Sequence, residues 1–420
     1  MRYTVVHAAD LHLDTPFSGL GEVAAGVANA LREASLTAFD NLIELALREE
    51  AAFLLLAGDL YDGPTRGIRA QRRLLQGLAR LSAAGCETFI VHGNHDPLEG
   101  WTAIGDWPQG VHVFPPGEVT AIPVARGGEA IATVHGVSFA QREERENLAR
   151  RFRRSGEGTQ FGLLHCNVGD AAHSPYAPCS PDDLRAAGLD YWALGHVHAA
   201  RLVLEGGPWA AYSGVLQGRS PHPGDSGPKG AYVLRCDSAL GVVSPPEFVA
   251  LDVVRFGHAT VDLTAAKDLS AALDEIERAQ QELYAAQEGR GLIARLRLTG
   301  EFPGHTDLRS RAEEVLQELR EAGKGFSPFL WLDELDVATR PPLRREEILG
   351  RGDLLAELLA ESGRIAASQD AVRDFLAEQA RELRRVEQQA GSLGPDPNGL
   401  ELLQAAEDIC LRLLAEEEAP

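Results

Sequence analysis

Five short polar clusters in this sequence have the residue types and spacing of divalent-metal chemistry: Asp10-Leu11-His12, Gly58-Asp59-Leu60-Tyr61-Asp62, Gly93-Asn94-His95-Asp96, His165, and Gly195-His196-Val197-His198. Each contains a side chain able to donate to a metal ion. Imidazole with carboxylate and carboxamide, and no thiolate, suits Mn²⁺, Fe or Zn in a reactive centre better than a structural zinc site. The i,i+2 spacing of Asp10/His12 and of His196/His198 places both side chains on one face of an extended backbone. Glycines 58, 93 and 195 suit tight turns that bring backbone close to an ion or a phosphate. Taken singly the clusters are weak. Asp-x-His and Gly-Asp-x-x-Asp recur in ordinary turns, and an isolated His165 reads as a core or strand-end histidine. Joint occurrence, in order, each behind its own apolar run, makes them one site.

Those apolar runs are Tyr3–His7, Phe53–Ala57, Thr88–Val91, Phe161–Leu164 and Tyr191–Leu194. Short runs bounded by turn residues predict strands buried on both faces. Helices are expected over Ala34–Glu50 and Arg66–Ala84, the second closed by Gly85. Strands alternating with helices predict an α/β fold with ligands where strands end. From Gly214 to Gly230, glycine and proline are dense enough to predict a long loop. Strand-like runs follow at Ala231–Arg235 and Glu247–Val254. A smaller unit then begins near Phe256, with a helix at Ala271–Gln287, an alternating strand at Ile293–Leu298 and a helix at Leu308–Ala322. Pro341 and Pro342 mark a boundary. Beyond them the chain is acidic and helical, with Phe375, Gln379, Leu383 and Val386 on one face, and Leu402, Ala406, Ile409 and Leu413 on another. Gly391–Gly399 is the turn between these two helices. The expected domains are therefore 1–255, 256–340 and 341–420.

The series D-x-H, G-D-x-x-D, G-N-H-D, H, G-H-x-H resembles that of the calcineurin-like metallophosphoesterases. The opening HAADLHLDTPFSGL, the GDLYDG cluster and YWALGHVH look closest to the bacterial SbcD and YhaO type of DNA repair nuclease. The protein serine/threonine phosphatases carry Arg directly after the second acidic residue of G-D-x-x-D, and here that position is Gly63. The resemblance covers residues 1 to about 255 with specific motifs and the remainder by domain order alone. It implies a four-layer α/β/β/α sandwich with a small α/β cap domain over 256–340 and a helical C-terminal tail. It further implies one metal held by Asp10, His12, Asp59 and His198, and a second held by Asp59, Asn94, His165 and His196, with Asp59 bridging. A bridging carboxylate brings two cations to about 3.5–4 Å, where hydroxide forms at neutral pH and an in-line displacement is clamped at both ends. By the same resemblance His95 is the catalytic residue, stabilising the transition state or protonating the leaving oxygen. Asp62 and Asp96 either orient a ligand imidazole or are turn carboxylates. The implied partners are DNA, an ABC-type ATPase of the SbcC or YhaN kind docked on the C-terminal helices, and a second copy of the chain.

Composition sets the limits. The 420 residues include 44% hydrophobic and 24% charged side chains, with a formal charge of −22. That charge disfavours tight metal-free binding to a polyanion, whereas divalent cations in a cleft reverse its sign locally. The start of the chain lacks the features of a signal peptide, and no uncharged apolar run approaches the roughly 18 residues of a membrane span. Five scattered cysteines without a C-x-x-C pair are expected as reduced thiols in the cytoplasm. Among other candidates, His7 is expected to be packed, and His92 and His135 to lie near the site without serving it. His173 and His222 read as solvated loop histidines, and Cys166 as a small buried residue. Arg150–Arg154 is either a phosphate-backbone contact or the end of a solvated, glutamate-rich helix. The expected activity is a Mn²⁺-dependent DNA exonuclease. The alternative is a phosphodiesterase of small or nucleotide substrates, and a metal-free scaffold is disfavoured because all seven ligand positions are filled.

Overall fold

A computed structural model of the chain describes all residues except 22, 64–66, 98–105, 170–175, 223–224, 343–347, 351, 376–402, 404–405, 408 and 411–420. The expectations at His173, at Gln379, Leu383 and Val386, at Leu402 and Leu413, and at the Gly391–Gly399 turn lie outside the described residues. The chain divides into two units, one of Met1–Ala259, Gln280–Arg295 and Glu318–Glu334, the other of Thr260–Ala279, Leu296–Gln317 and Leu335–Pro420.

The first unit carries two sheets. The first is built from β1 (Arg2–Ala8), β2 (Phe53–Ala57), β3 (Glu87–Val91) and β4 (Val111–Val113), extended past β1 by β11 (Gly230–Asp237), β12 (Gly241–Val242) and β13 (Glu247–Ala250). The second runs in the order β5 (Thr120–Arg126), β6 (Glu129–Gly136), β7 (Thr159–His165), β8 (Tyr191–Gly195), β10 (Trp209–Tyr212), β9 (Arg201–Leu204). β1, β2 and β3 are mutually parallel, as are β6, β7 and β8.

Alternation along each strand explains the layering. Phe53, Leu55 and Phe89 of the first sheet share a core with Val134, Phe161, Leu163 and Tyr191 of the second. The intervening Leu54, Leu56 and Ile90 pack on Phe39, Leu42, Leu74 and Leu78, which lie on α1 (Ala25–Arg48) and α2 (Ile68–Ala83). Behind the second sheet, Trp192 and Leu194 pack on Leu148, Phe152 and Leu184. Leu148 lies on a 3₁₀ turn at Leu148–Arg151, Phe152 directly follows that turn, and Leu184 lies on the short α3 (Pro181–Ala186). The result is the expected α/β/β/α order, with a thin outer layer on the second sheet. α1 and α2 are also joined by ion pairs: Arg69 with Glu33, Arg73 with Asp40, and Arg80 with Glu44.

The five predicted runs match β1, β2, β3, β7 and β8 to within two residues at either end. The predicted Glu247–Val254 strand is instead broken between β13 and β14 (Val254–Asp262). There the buried carboxylate of Asp252 turns inward to Arg255 and Arg290. β14 forms a three-stranded sheet with β15 (Gly291–Thr299) and β16 (Leu330–Val337), in that order. α4 (Leu269–Ala285) lies close to its predicted span, whereas the single helix predicted over Leu308–Ala322 is α5 (His305–Ser310) and α6 (Ala312–Gly323), divided at Arg311. α7 (Leu354–Ala366) is N-capped by Asp353, whose side chain accepts from the Ala356 amide. All five cysteines are free thiols. Among the described residues no helix is long and apolar enough to cross a membrane.

Candidate metal centre

Each candidate ligand lies at or just past the C-terminal end of a parallel strand. Asp10 and His12 follow β1, Asp59 follows β2, and Asn94 and His95 follow β3. His165 ends β7, and His196 and His198 follow β8. Ligands from one sheet thereby meet ligands from the other. Asp59 Oδ2 lies 3.4 Å from His165 Nε2 and 4.0 Å from His12 Nε2. Asn94 Oδ1 lies 2.9 Å from His165 Nε2 and 3.3 Å from His196 Nδ1. The ligand atoms of Asp10, His12 and His198 fall within 4.8 Å of one another, as do those of Asp10, Asp59 and His165. All seven predicted ligands are thus brought together.

The local backbone differs from expectation. Asp10 and His12 are not extended but left-handed, at φ 50° and 41°, and Asp59 and His196 also have positive φ, at 53° and 102°. The strand ends at Ala8, and the loop is held by backbone pairing instead: the Asp10 amide donates to Gly58 O and the His12 amide to Asp59 O, both at 3.0 Å. Such conformations cost of order 1–3 kcal/mol each and persist only where their surroundings enforce them. Glycine allows the close approaches. A Cβ at Gly195 would sit 1.8 Å from Ala57 O, and one at Gly93 would sit 2.3 Å from Asp59 Oδ1.

Burial and charge prepare the site for cations. Desolvation, with the charges of Asp10 and Asp96, holds the Asp59 carboxyl well above the usual carboxylate range, and desolvation also raises Asp10. Desolvation, then the Arg219 guanidinium, pushes His12 well down, and burial with neighbouring imidazoles lowers His196 to about 3. These imidazoles are therefore neutral and able to donate lone pairs. Both ring nitrogens of His12 are buried without a hydrogen-bond partner. Two crowded carboxylates beside an unsatisfied neutral imidazole fit divalent cations, and the oxygen and nitrogen donors fit Mn²⁺, Fe or Zn.

The remaining candidates separate clearly. His95 Nδ1 lies 2.6 Å from Asp62 Oδ1, and its ring stands edge-on to His12 at 5.1 Å between centroids. Asp62 therefore pairs with His95 and not with a ligand imidazole. Asp96 accepts from the backbone amides of Asp59, Leu60 and Gly93 and pairs with His92, so it fixes the two ligand loops against each other. His7 is buried in the core with Nδ1 2.9 Å from the Tyr191 hydroxyl, and His135 pairs with Gln160. His222 is exposed in the loop after β10. Cys166 is buried 4.0 Å from the Cys179 sulfur, and burial pushes its thiol well up. Arg150, Arg151 and Arg154 are engaged by Asp183, Glu146 and Asp190 respectively, and Arg153 donates to two backbone carbonyls.

Sequence reasoning missed three residues. Asp225 lies 3.5 Å from His198 Nδ1 and accepts from Ser220 Oγ and the Arg219 amide. This raises the His198 pKa despite burial. Arg219 Nη1 donates to Asp62 Oδ2 at 3.2 Å, and the Tyr176 ring lies against His196 at 4.8 Å between centroids. Arg219 and Asp225 sit in the glycine- and proline-rich loop, where no periodicity distinguishes a buried polar residue from a solvated one.

Residues 3–200 match the family model described as calcineurin-like phosphoesterase. The chain is also 35% identical over 345 residues to the uncharacterized metallophosphoesterase YhaO of Bacillus subtilis, covering 80% of this chain and 82% of that protein. The chain belongs to the calcineurin-like metallophosphoesterases. Within this metallophosphoesterase, residues 256–340 match the model of the metallophosphoesterase YhaO middle domain. Two further relatives are similar over shorter spans. The DNA double-strand break repair protein Mre11 of Aeropyrum pernix is 31% identical over 50% of this chain and 53% of its own length. A subunit of the nuclease SbcCD of Rhodobacter capsulatus is 36% identical over 23% of this chain and 22% of its own length. As a metallophosphoesterase the protein is a hydrolase of phosphoester bonds, in a family that uses divalent metals.

Proposed function

We propose that this metallophosphoesterase is a two-metal DNA nuclease of DNA repair, acting as an exonuclease with Mn²⁺. The observation that carries this reading is the donor set around Asp59, with His95 held beside it by Asp62. Asp10, His12, Asp59 and His198 would hold one cation, and Asp59, Asn94, His165 and His196 the other. Bound there, two cations supply Lewis-acid charge for the phosphoryl oxygens and a nucleophilic water at neutral pH.

The chain's own residues supply the proton chemistry. The Asp62 carboxyl is held low, since the His95 and Arg219 contacts outweigh its partial burial. It is therefore ionised at neutral pH and can only accept, so Nδ1 of His95 carries a proton and donates to it. That leaves His95 Nε2 to exchange a proton with a leaving oxygen. DNA as substrate is supported by the identity to Mre11 and to the SbcCD nuclease. From domain order, we further propose that residues 256–340 form a cap that selects DNA, and that 341–420 dock on an ABC-type ATPase of the SbcC or YhaN kind. We place the protein in the cytoplasm, as a homodimer.

A second reading, a phosphodiesterase of small or nucleotide substrates, is favoured by the engaged arginines of Arg150–Arg154 and the charge of −22. One experiment separates the two: nucleotide release from an end-labelled duplex with Mn²⁺, with EDTA, and with the Asp59→Ala and His95→Ala variants. Metal-dependent release is expected, with Asp59→Ala losing metal and turnover and His95→Ala losing turnover while keeping both ions. Hydrolysis of a small phosphodiester without any DNA cleavage would sink the nuclease reading. Equal metal loss in the two variants would overturn the role given to His95.

A further inference from the structure

Arg219 is the guanidinium that reaches the His95–Asp62 pair, and the site geometry gives it more than a structural ion pair to do. It arrives from the loop after β10, across 157 residues of sequence, and donates Nη1 to Asp62 Oδ2 at 3.2 Å. Its side chain is 14% exposed. Among the described residues, Nε and Nη2 make no hydrogen bond. A guanidinium presents five N–H donors in a fixed fork, so most of its donor capacity is open at the edge of the centre. The backbone beneath it is fixed from both sides. The Arg219 amide donates to Asp225 Oδ2 at 3.2 Å, and the Arg219 carbonyl accepts from the Ser18 amide at 3.0 Å. Asp225 in turn holds His198, and Ser18 lies on the segment leaving His12. The residue after Asp62 is Gly63, so the Gly58–Asp62 loop supplies no cation there.

This placement is unfavourable for a purely structural arginine. The centre around it collects cations in its working state, and a partly desolvated positive charge beside them is stable only if an anion lies between. Asp62 offers one carboxylate, already shared with His95. An anionic group that reached both the cation sites and the open edge of the guanidinium would satisfy the arrangement. For a phosphoester hydrolase that group is the phosphate of the substrate. The planar fork matches two non-bridging phosphate oxygens, and such contacts strengthen as negative charge accumulates in the transition state.

We infer that Arg219 is a substrate-contacting residue that binds the non-bridging oxygens of the phosphoryl group under attack, on the side of the site occupied by His95. The inference rests on the phosphoesterase reading of this same centre and goes beyond it in naming a ligand for a residue outside the metal donors. Because Arg219 also touches Asp62, truncation could act by loosening His95, so the test reads phosphate binding as well as turnover.

The experiment is calorimetric titration of inorganic phosphate into the full-length Mn²⁺-loaded protein, comparing wild type with Arg219→Gln, Arg219→Lys and Asp62→Asn, each with metal content measured. Arg219→Gln is expected to weaken phosphate binding by about tenfold or more with both ions retained. Arg219→Lys should recover part of that loss, restoring the charge without the fork. Asp62→Asn, which removes the anchor of His95, should cost turnover while leaving phosphate affinity within about threefold of wild type. If Arg219→Gln binds phosphate as tightly as wild type, Arg219 is only a support for Asp62 and the inference is overturned. If wild type itself binds no phosphate and hydrolyses no phosphoester, the reading of the centre fails first and this inference with it.

Discussion

Asp59 is 1% exposed and shares its pocket with the carboxylates of Asp10 and Asp96. Burial first, then the charges of those two neighbours, holds its carboxyl well above the usual carboxylate range, against the opposing hydrogen bond from the His95 amide. A carboxyl raised in the folded state stabilises the protein below its unfolded pKa, and that contribution is lost as pH rises through the folded value. Near neutral pH the metal-free protein therefore carries a penalty at this position. Asp59→Asn should remove it and raise the stability of EDTA-treated protein by about 1–2 kcal/mol, while abolishing the gain in Tm on adding Mn²⁺. Thermal melts with and without the ion check this, and a destabilised metal-free variant would contradict it. Wild-type affinity for Mn²⁺ should rise with pH, since binding displaces protons from the raised carboxyls. Asp62 behaves oppositely, being held low by His95 and Arg219. Asp62→Asn should lower kcat by about 10–100-fold with metal content unchanged, because an amide no longer dictates which imidazole nitrogen carries the proton. An unchanged kcat would show that His95 needs no such partner.

At the scale of elements, two kinds of glycine make opposite predictions. Gly195 ends β8 where a Cβ would meet Ala57 O at 1.8 Å, so backbone itself would have to move. Gly195→Ala should destabilise by about 3 kcal/mol or more and scatter the ligands on both flanks. Gly26, near the start of α1, has nothing within 4 Å of its Cβ position. Gly26→Ala should stabilise by about 0.5–1 kcal/mol. Urea denaturation of the two variants measures both. The contrast also marks what was readable from the chain. β1, β2, β3, β7 and β8 announced themselves because both faces are buried, leaving unbroken apolar runs with a polar cluster behind each. β5 has exposed positions along its length and a proline, Pro123, at its middle, and β9 and β10 are four residues each, so they carried little signal. The seven candidate ligands and His95 stood out by type and order. The left-handed backbone at Asp10 and His12 did not, since nothing in Asp10-Leu11-His12 distinguishes a turn from a strand until Gly58 and Asp59 offer their carbonyls. Arg219 and Asp225 were illegible for a different reason: their partners lie far away in sequence, in a loop without a period.

At the scale of the whole molecule, no single sheet owns the centre. Asp10, His12, Asp59 and Asn94 belong to the first sheet, whereas His165, His196 and His198 belong to the second. The His196 amide already bridges to the Asp10 carboxylate at 3.1 Å, across 186 residues of sequence. Between the sheets lies an apolar core of Phe53, Phe89, Phe161 and Tyr191, and among the described residues no strand pairing crosses it. An ion shared by both strand ends would therefore act as a rivet. It would close a loop of nearly half the chain, where a cross-link removes the most freedom from the unfolded ensemble. Such a rivet can be set only after both sheets exist and stand in register. Occupancy would then do double duty, as the source of reactivity and as a checkpoint on assembly, so that a misfolded copy would also be a harmless one.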